Sequence, residues 1–285
     1  MKRIAIVTDS AADLPAELVA QFDISVIPLS IHWGDETFLD NVTMKPAEFY
    51  QQLATREEFP KTSQPSVGEF CEFFQETATR LETDTILGIF LSSPLSGTLA
   101  AATQAKAMLP QLQIKLVDSR FISMGVGLQV LTAARAQQNN NSLSAITAQT
   151  ASVRQQIRLF LVLDTLEYLH RGGRIGGAAH LVGSLLNLRP LLCVENGEIA
   201  ALSKVRGRRK SLQRLVELTE AELQGRRPAE LAIMHAGIYE DAAFLVAQLQ
   251  ERVNPRRLYT GVLTPTLGCH GGPGAIGIAF YPESE

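Results

Sequence analysis

Thr85-Ile86-Leu87-Gly88-Ile89-Phe90-Leu91 passes directly into Ser92-Ser93-Pro94-Leu95-Ser96-Gly97-Thr98, and the reading of this junction decides the fold. The first seven residues read as a buried strand. From Leu95 to Leu109 alanine recurs and the chain reads as a helix. Ile114 to Val117 is a second strand, closing on Asp118-Ser119. A strand, a helix and a further strand in so short a span make a βα unit, the element of a parallel sheet.

The same rhythm extends in both directions. Lys2 to Thr8 is a buried-strand run ending in Asp9-Ser10. A helix opened by Pro15 follows, with its apolar register over Leu14 to Phe22, and Ser25 to Leu29 is another strand. Ser66-Val67-Gly68-Glu69 has capping-box spacing, after which Val67, Phe70, Phe73, Phe74 and Thr77 keep a helical period. Gly125 to Gln138 is the last clear helix of this half. The expected fold class is α/β, beginning with a parallel-sheet domain covered by helices on both faces.

Gln137-Gln138-Asn139-Asn140-Asn141-Ser142 is the most polar uncharged run, an interdomain linker or a loop before a helix over Ser144 to Ile157. It sets an approximate boundary between residues 1–150 and 151–285. Beyond it Leu159 to Leu163 is a continuous apolar strand. Leu191 to Glu195 and Glu198 to Leu202 flank Asn196-Gly197, a strong hairpin signal. Further strands at Leu231 to Met234, Leu258 to Leu263 and Ala275 to Tyr281 predict an α+β domain with a mixed or antiparallel sheet.

The chain has 285 residues, of which 46% are hydrophobic, 6% aromatic and 19% charged. At about 150 residues per domain that length suits one large or two modest domains. Its apolar content is mostly aliphatic. Lys and Arg total 26 and Asp and Glu 29, a net charge of −3, which argues against bulk nucleic-acid binding but leaves room for a local basic patch. No apolar run approaches the ~18 residues of a membrane span. Ile4 to Val7, after Met1-Lys2-Arg3, is too short for a signal peptide. The three cysteines, Cys71, Cys193 and Cys269, form neither a disulfide framework nor a CxxC pair, so a cytoplasmic location is expected.

In an open α/β sheet, ligands bind beyond the carboxyl ends of the strands, where helix N-termini point their N–H groups outward. Thr8-Asp9-Ser10, the Ser92 to Thr98 run and Lys61-Thr62-Ser63-Gln64-Pro65-Ser66 all land there. A single hydroxyl at such a place caps a helix and needs no function. Four hydroxyls in one junction, with a second hydroxyl-rich helix start, point to an anion site that requires no full positive charge. The G-x-S-x-G elbow and the Walker A pattern are both missing, so a nucleophile at Ser93 or Ser96 requires a base from elsewhere in the chain.

Two glycine clusters mark the second half. His170 to Gly177 carries Arg171 and Arg174 on a backbone suited to a phosphate, a partner's acidic surface or a plain surface loop. Gly268-Cys269-His270-Gly271-Gly272-Pro273-Gly274 places His270 in a turn whose glycines let the ring approach a ligand. The five histidines are too scattered for paired metal ligands. Lys204 to Lys210, with Arg206 and Arg209, is the densest basic run and opens a helix over Ser211 to Leu223, either as a binding face or as solvated charge.

Thr8-Asp9-Ser10, Lys61 to Ser66, Leu91 to Thr98, Gly172-Gly173-Arg174-Ile175 and His270-Gly271-Gly272-Pro273-Gly274 occur in this order over essentially the whole chain. In that order they resemble the DegV family of bacterial fatty-acid-binding proteins. Gly271 stands where the family commonly carries Thr, a departure that leaves His270 in register. The resemblance implies two α/β domains with a fatty acid such as palmitate or oleate between them. It implies a carboxylate held by Thr62 and Ser93, with Ser96 and Gly97 completing the pocket and His270 nearby. It further implies a carrier rather than an enzyme, presenting the acid to a separate fatty acid kinase that makes acyl phosphate for phospholipid synthesis. Arg171, Arg174, Arg206 and Arg209 are candidates to meet an acidic surface of that kinase. The rival readings are a serine-dependent lipid hydrolase or acyltransferase using Ser93 or Ser96, and a nucleic-acid or regulatory surface at the basic run, which the net charge disfavours.

Overall fold

Strands and helices alternate from β1 (Ala5–Asp9) through α1 (Ala16–Phe22) to β2 (Ser25–Ile27) in the computed structural model, which describes residues 3–181 and 188–283. There follow β3 (Ser30–Trp33), β4 (Glu36–Leu39), α2 (Pro46–Leu53) and β5 (Lys61–Ser63). Then come α3 (Val67–Arg80), β6 (Thr85–Phe90), α4 (Thr98–Ala107), β7 (Gln113–Asp118), α5 (Met124–Gln138) and α6 (Leu143–Gln156). Strands β2, β1, β6 and β7 lie side by side in that order, all parallel. Phe70 and Phe74 of α3, with Ala101, Ala102 and Ala105 of α4, cover one face, and α5 covers the other.

A small antiparallel sheet, in the order β4, β3, β5, stands where the sequence suggests only an approach to α3. The three residues of β5 are extended because they pair with β3, Thr62 opposite Ile31. Thr62 therefore sits on a strand, and the helix start belongs to Ser66. The Ser66 hydroxyl accepts the Glu69 N–H at 3.2 Å while the Glu69 carboxylate accepts the Ser66 N–H at 2.7 Å, a complete capping box.

The remainder comprises β8 (Arg158–Val162), α7 (Glu167–Arg171), β9 (Leu188–Glu195), β10 (Glu198–Arg206), α8 (Arg208–Leu223), β11 (Pro228–His235), α9 (Tyr239–Val253), β12 (Leu258–Val262), α10 (Pro265–Gly271) and β13 (Ile276–Pro282). Its six strands run in the order β10, β9, β8, β13, β11, β12, and among these neighbours only β11 and β12 pair in parallel. Asn196 and Gly197 both take positive φ, 52° and 88°, as a two-residue hairpin turn demands. The tip of this hairpin is pinned to the other half, since Ser92 Oγ donates to the Gly197 carbonyl at 2.6 Å.

Helix α5 joins the two sheets. Of its 15 residues 11 are buried, and it packs against β1 and β6 on one side and β11 and β13 on the other. A helix without a polar face belongs between layers rather than on a surface. Its core contains Leu87 and Ile89 from one sheet with Leu159, Met234 and Ala279 from the other. Near its C-terminus Arg135 pairs with the buried Glu230, which also accepts from Tyr259 and Tyr281 at 2.8 and 2.7 Å. The polar run Gln137 to Ser142 is the turn between α5 and α6, with Ser142 Oγ capping the latter.

Two local expectations change. His270 lies in the last turn of α10, and Pro265 at the first helical position explains why a glycine-rich segment is helical there. The basic run is divided: Lys204 to Arg206 end β10, and α8 already begins at Arg208. Among the described residues no helix is long and apolar enough to cross a membrane, and no group of three His, Cys, Asp or Glu residues is placed to hold a metal ion.

Candidate functional site

Two adjoining cavities meet where α5 begins and α10 ends. The inner one is lined by Leu159 and Leu161 of β8, Leu163, Met234, Leu263 and the small residues Ala275, Gly277 and Ala279. Gly277 pairs with Leu161 and Ala279 with Leu159, so space is left where β13 is short of side chains. The outer cavity is lined by Thr62, Ser63, Gln64, Ser96, Arg174 and Thr266 beside apolar neighbours. Ile122, Leu169, Ile199, Leu267 and His270 line both. An apolar chamber thus lies beside a hydroxyl-rich mouth, with an imidazole in the wall they share.

His270 Nε2 is 2.8 Å from Thr62 Oγ1. Burial, helped by the charge of Arg174, pushes the imidazole down from 6.5 to about 4, so it is neutral at pH 7. Arg174 is steadied by two carbonyls, donating from Nε to Leu95 at 3.2 Å and from Nη1 to Gly172 at 2.6 Å.

Three buried carboxyl groups stand behind α10. Asp13 Oδ1 accepts the Thr264 N–H at 2.9 Å and its other oxygen accepts from Ser123, while Asp40 Oδ1 accepts the Thr266 N–H at 3.1 Å. Asp9, at the end of β1, accepts from Leu91 N and Ala11 N at 2.8 and 3.0 Å. Burial pushes Asp9 and Asp13 up to about 7 and raises Asp40 as well. Asp13 and Asp40 fix the start of α10, and with it the reach of His270. Asp13 and Asp40 attracted no notice in the sequence, since nothing local marks them; only Thr8-Asp9-Ser10 stood out, by its place at a strand end.

The candidate residues separate clearly. Thr62, Ser96 and His270 come together at the mouth, joined by Arg174, which the sequence suggested for a partner surface. Gly97 lets Gln64 close over it, for a Cβ there would stand 3.0 Å from Gln64 Nε2. Ser96 also serves its helix, bonding the Thr98 hydroxyl at 2.8 Å and accepting the Thr98 N–H at 3.2 Å. Ser93 is exposed and is not in the lining of either cavity. Its hydroxyl donates to Asp118 Oδ2 at 2.5 Å, and Asp118 pairs with Arg120. The partners of Ser93 and Ser96 are thus Asp118 and Thr98, and among the described residues no imidazole bonds either hydroxyl.

The arginines proposed for a partner lie outside the mouth, Arg174 excepted. Arg171 pairs with Glu167 at 2.8 Å and lies 4.0 Å over the Phe59 ring. Arg209 lies 5.0 Å over the Phe244 ring, and Arg206 is exposed at the end of β10.

Comparison with known proteins agrees with this architecture. A family model described as an uncharacterised protein family, DegV, matches residues 3–283. Protein DegV of Bacillus subtilis is 31% identical over 278 residues, covering 97% of this chain and 98% of that protein. A solved fatty-acid-binding DegV family protein from Thermus thermophilus shares 32% identity, covering 99% of this chain and 100% of that one with a TM-score of 0.92. The solved fatty acid binding protein DegV of B. subtilis superimposes with a TM-score of 0.91 at 30% identity, covering 99% and 100% of the two chains.

Proposed function

The chain belongs to the DegV family, and from this we propose that it binds a long-chain fatty acid, tail in the inner cavity and carboxylate at the Thr62–His270 mouth. The observation that carries the reading is the adjacency of the two cavities at His270: an apolar lining on one side of the imidazole, hydroxyls and a guanidinium on the other. Burying about fourteen methylenes at ~0.8 kcal/mol each is worth roughly 11 kcal/mol before association costs. The tail dominates affinity, and the head group needs only to be oriented.

Donors at the mouth suit an acceptor-only head. Thr62 and Ser96 offer neutral O–H groups, and Arg174, whose Nε and Nη1 are on the Leu95 and Gly172 carbonyls, adds one positive charge at the edge of the mouth. An oxygen left free of a tight salt bridge remains able to attack phosphorus, which fits delivery of the acid to a separate kinase for conversion to acyl phosphate. On this reading the chain is a carrier, and Arg171, Arg206 and Arg209 are surface charges available to that partner. Charge reversal at Arg206 and Arg209 is expected to lower acyl-phosphate formation while fatty-acid affinity holds; unchanged formation would discard them.

Denaturing extraction of purified protein followed by mass spectrometry tests the binding function. A long-chain fatty acid in the extract, or uptake of added palmitate or oleate, is expected. A clean extract with no uptake would overturn it. A fluorophosphonate probe should give no covalent adduct.

A further inference from the structure

We propose that Gly172 is a positioning residue for His270, setting which imidazole nitrogen faces Thr62 and so making the mouth select a head group that accepts hydrogen bonds; this rests on the acid-binding reading above. Gly172 follows α7 with φ −73° and ψ −10°, a conformation open to any residue. Its lack of a side chain therefore has another cause. A Cβ at 172 would stand 2.4 Å from His270 Nδ1, 2.9 Å from Cε1 and 3.0 Å from the Tyr168 carbonyl oxygen.

A ring displaced by a side chain at 172 shifts toward the cavities it lines, out of its place against Thr62. On its far side Nε2 already lies 2.8 Å from Thr62 Oγ1. Asp13 and Asp40 hold the backbone at the start of α10, and Phe49 Cε1 lies 2.4 Å from where a Cβ on Gly268 would be. The ring fits because position 172 is empty of side chain.

That placement decides the tautomer. Nδ1 is buried against Gly172 without a hydrogen-bond partner. A neutral imidazole carries one N–H, and a buried N–H lacking an acceptor is rarer than a buried acceptor lacking a donor. The proton belongs on Nε2, which donates to Thr62 Oγ1. The Thr62 hydroxyl proton is then free to point into the cavity and donate to the ligand. A carboxylate, with acceptor oxygens only, answers such a donor in full, and a fatty alcohol does so at a single oxygen.

Gly172→Ala keeps the backbone conformation and the carbonyl that steadies Arg174, adding a methyl group that meets His270 most closely and the Tyr168 carbonyl next. Dissociation constants are measured for palmitate and hexadecanol in the parent, Gly172→Ala, His270→Ala and the double variant. Gly172→Ala is expected to weaken palmitate at least tenfold, to change hexadecanol less than threefold, and to have no further effect in the His270→Ala background. Parental palmitate affinity, or an equal loss in the His270→Ala background, would overturn the proposal. Independently of any ligand, long-range ¹H–¹⁵N correlation spectra of the parent should show His270 protonated at Nε2. Protonation at Nδ1 would overturn it even if palmitate binds, whereas failure of the parent to bind palmitate speaks against the acid-binding reading alone.

Discussion

Asp13 accepts the backbone N–H of Thr264 at 2.9 Å across 251 positions of sequence. This bond links the turn after β1 to the first turn of the helix that carries His270, so the head-group site depends on a contact between the two ends of the chain. Asp13→Ala leaves the Thr264 N–H and the Ser123 hydroxyl without their acceptor, at about 1–3 kcal/mol for each orphaned buried group. Urea unfolding should show a loss of that order, and fatty-acid affinity should fall with it. Asp13→Asn, which keeps one acceptor oxygen, should lose less.

The same residue makes stability depend on pH. Asp9 and Asp13 stand at about 7 in the folded chain against 3.8 ordinarily. Between those values the folded chain holds protons that the unfolded chain has released, so each group's contribution falls as pH rises from about 4 to about 7. His270, held at about 4 against 6.5, acts in the opposite sense over that lower range, because there the unfolded chain binds the extra proton. The Asp13 part is isolated by comparing the parent with Asp13→Asn. A shift of roughly three units corresponds to about 4 kcal/mol, so the parent should lose up to that much relative to the variant between pH 4 and 8. Parallel stability curves for the two proteins would contradict this assignment.

Ala279→Leu places a larger side chain in the inner cavity, opposite Leu159. Displacing about four methylenes at ~0.8 kcal/mol each removes roughly 3 kcal/mol of tail burial. Calorimetry should show palmitate weakened about a hundredfold and a twelve-carbon acid bound nearly as by the parent. Equal weakening of both acids would mean that the tail does not reach β13.

Thr62→Ala and Ser93→Ala separate two hydroxyls that family resemblance assigns to one task. Thr62 lines the mouth against His270, and its loss should weaken palmitate by about tenfold or more, the scale of a hydrogen bond to a charged group. The Ser93 hydroxyl is taken by Asp118 away from the cavity lining, so its removal should leave affinity within about twofold. A large loss at Ser93 would return it to the carboxylate.

Much of this was legible in the sequence, and what escaped shares one physical cause. The strands β1, β6 and β7 announce themselves as apolar runs ending in Asp or Ser, and Asn196-Gly197 marks its hairpin, because those signals are local. The strand β5 has only three residues, and its extended state comes from pairing with β3. The helix of His270 is opened by Pro265 but held by Asp13 and Asp40, carboxylates far away in the chain, and its glycine neighbours pointed to a turn instead. Ser93 and Ser96 looked equivalent in one hydroxyl run; Asp118, at the end of the neighbouring strand, is what turns one outward. The residue types of the mouth were readable, but not their contacts.

The shared helix α5 bears on delivery. Because one helix is core to both sheets, swinging the halves apart would bare the apolar interior of the whole molecule. On the proposed carrier reading, a fatty acid enclosed beside it would leave through local yielding of the segments around His270 and Arg174. Its dwell time would then follow how often those segments give way, and a recipient protein able to displace them would control when the acid is released.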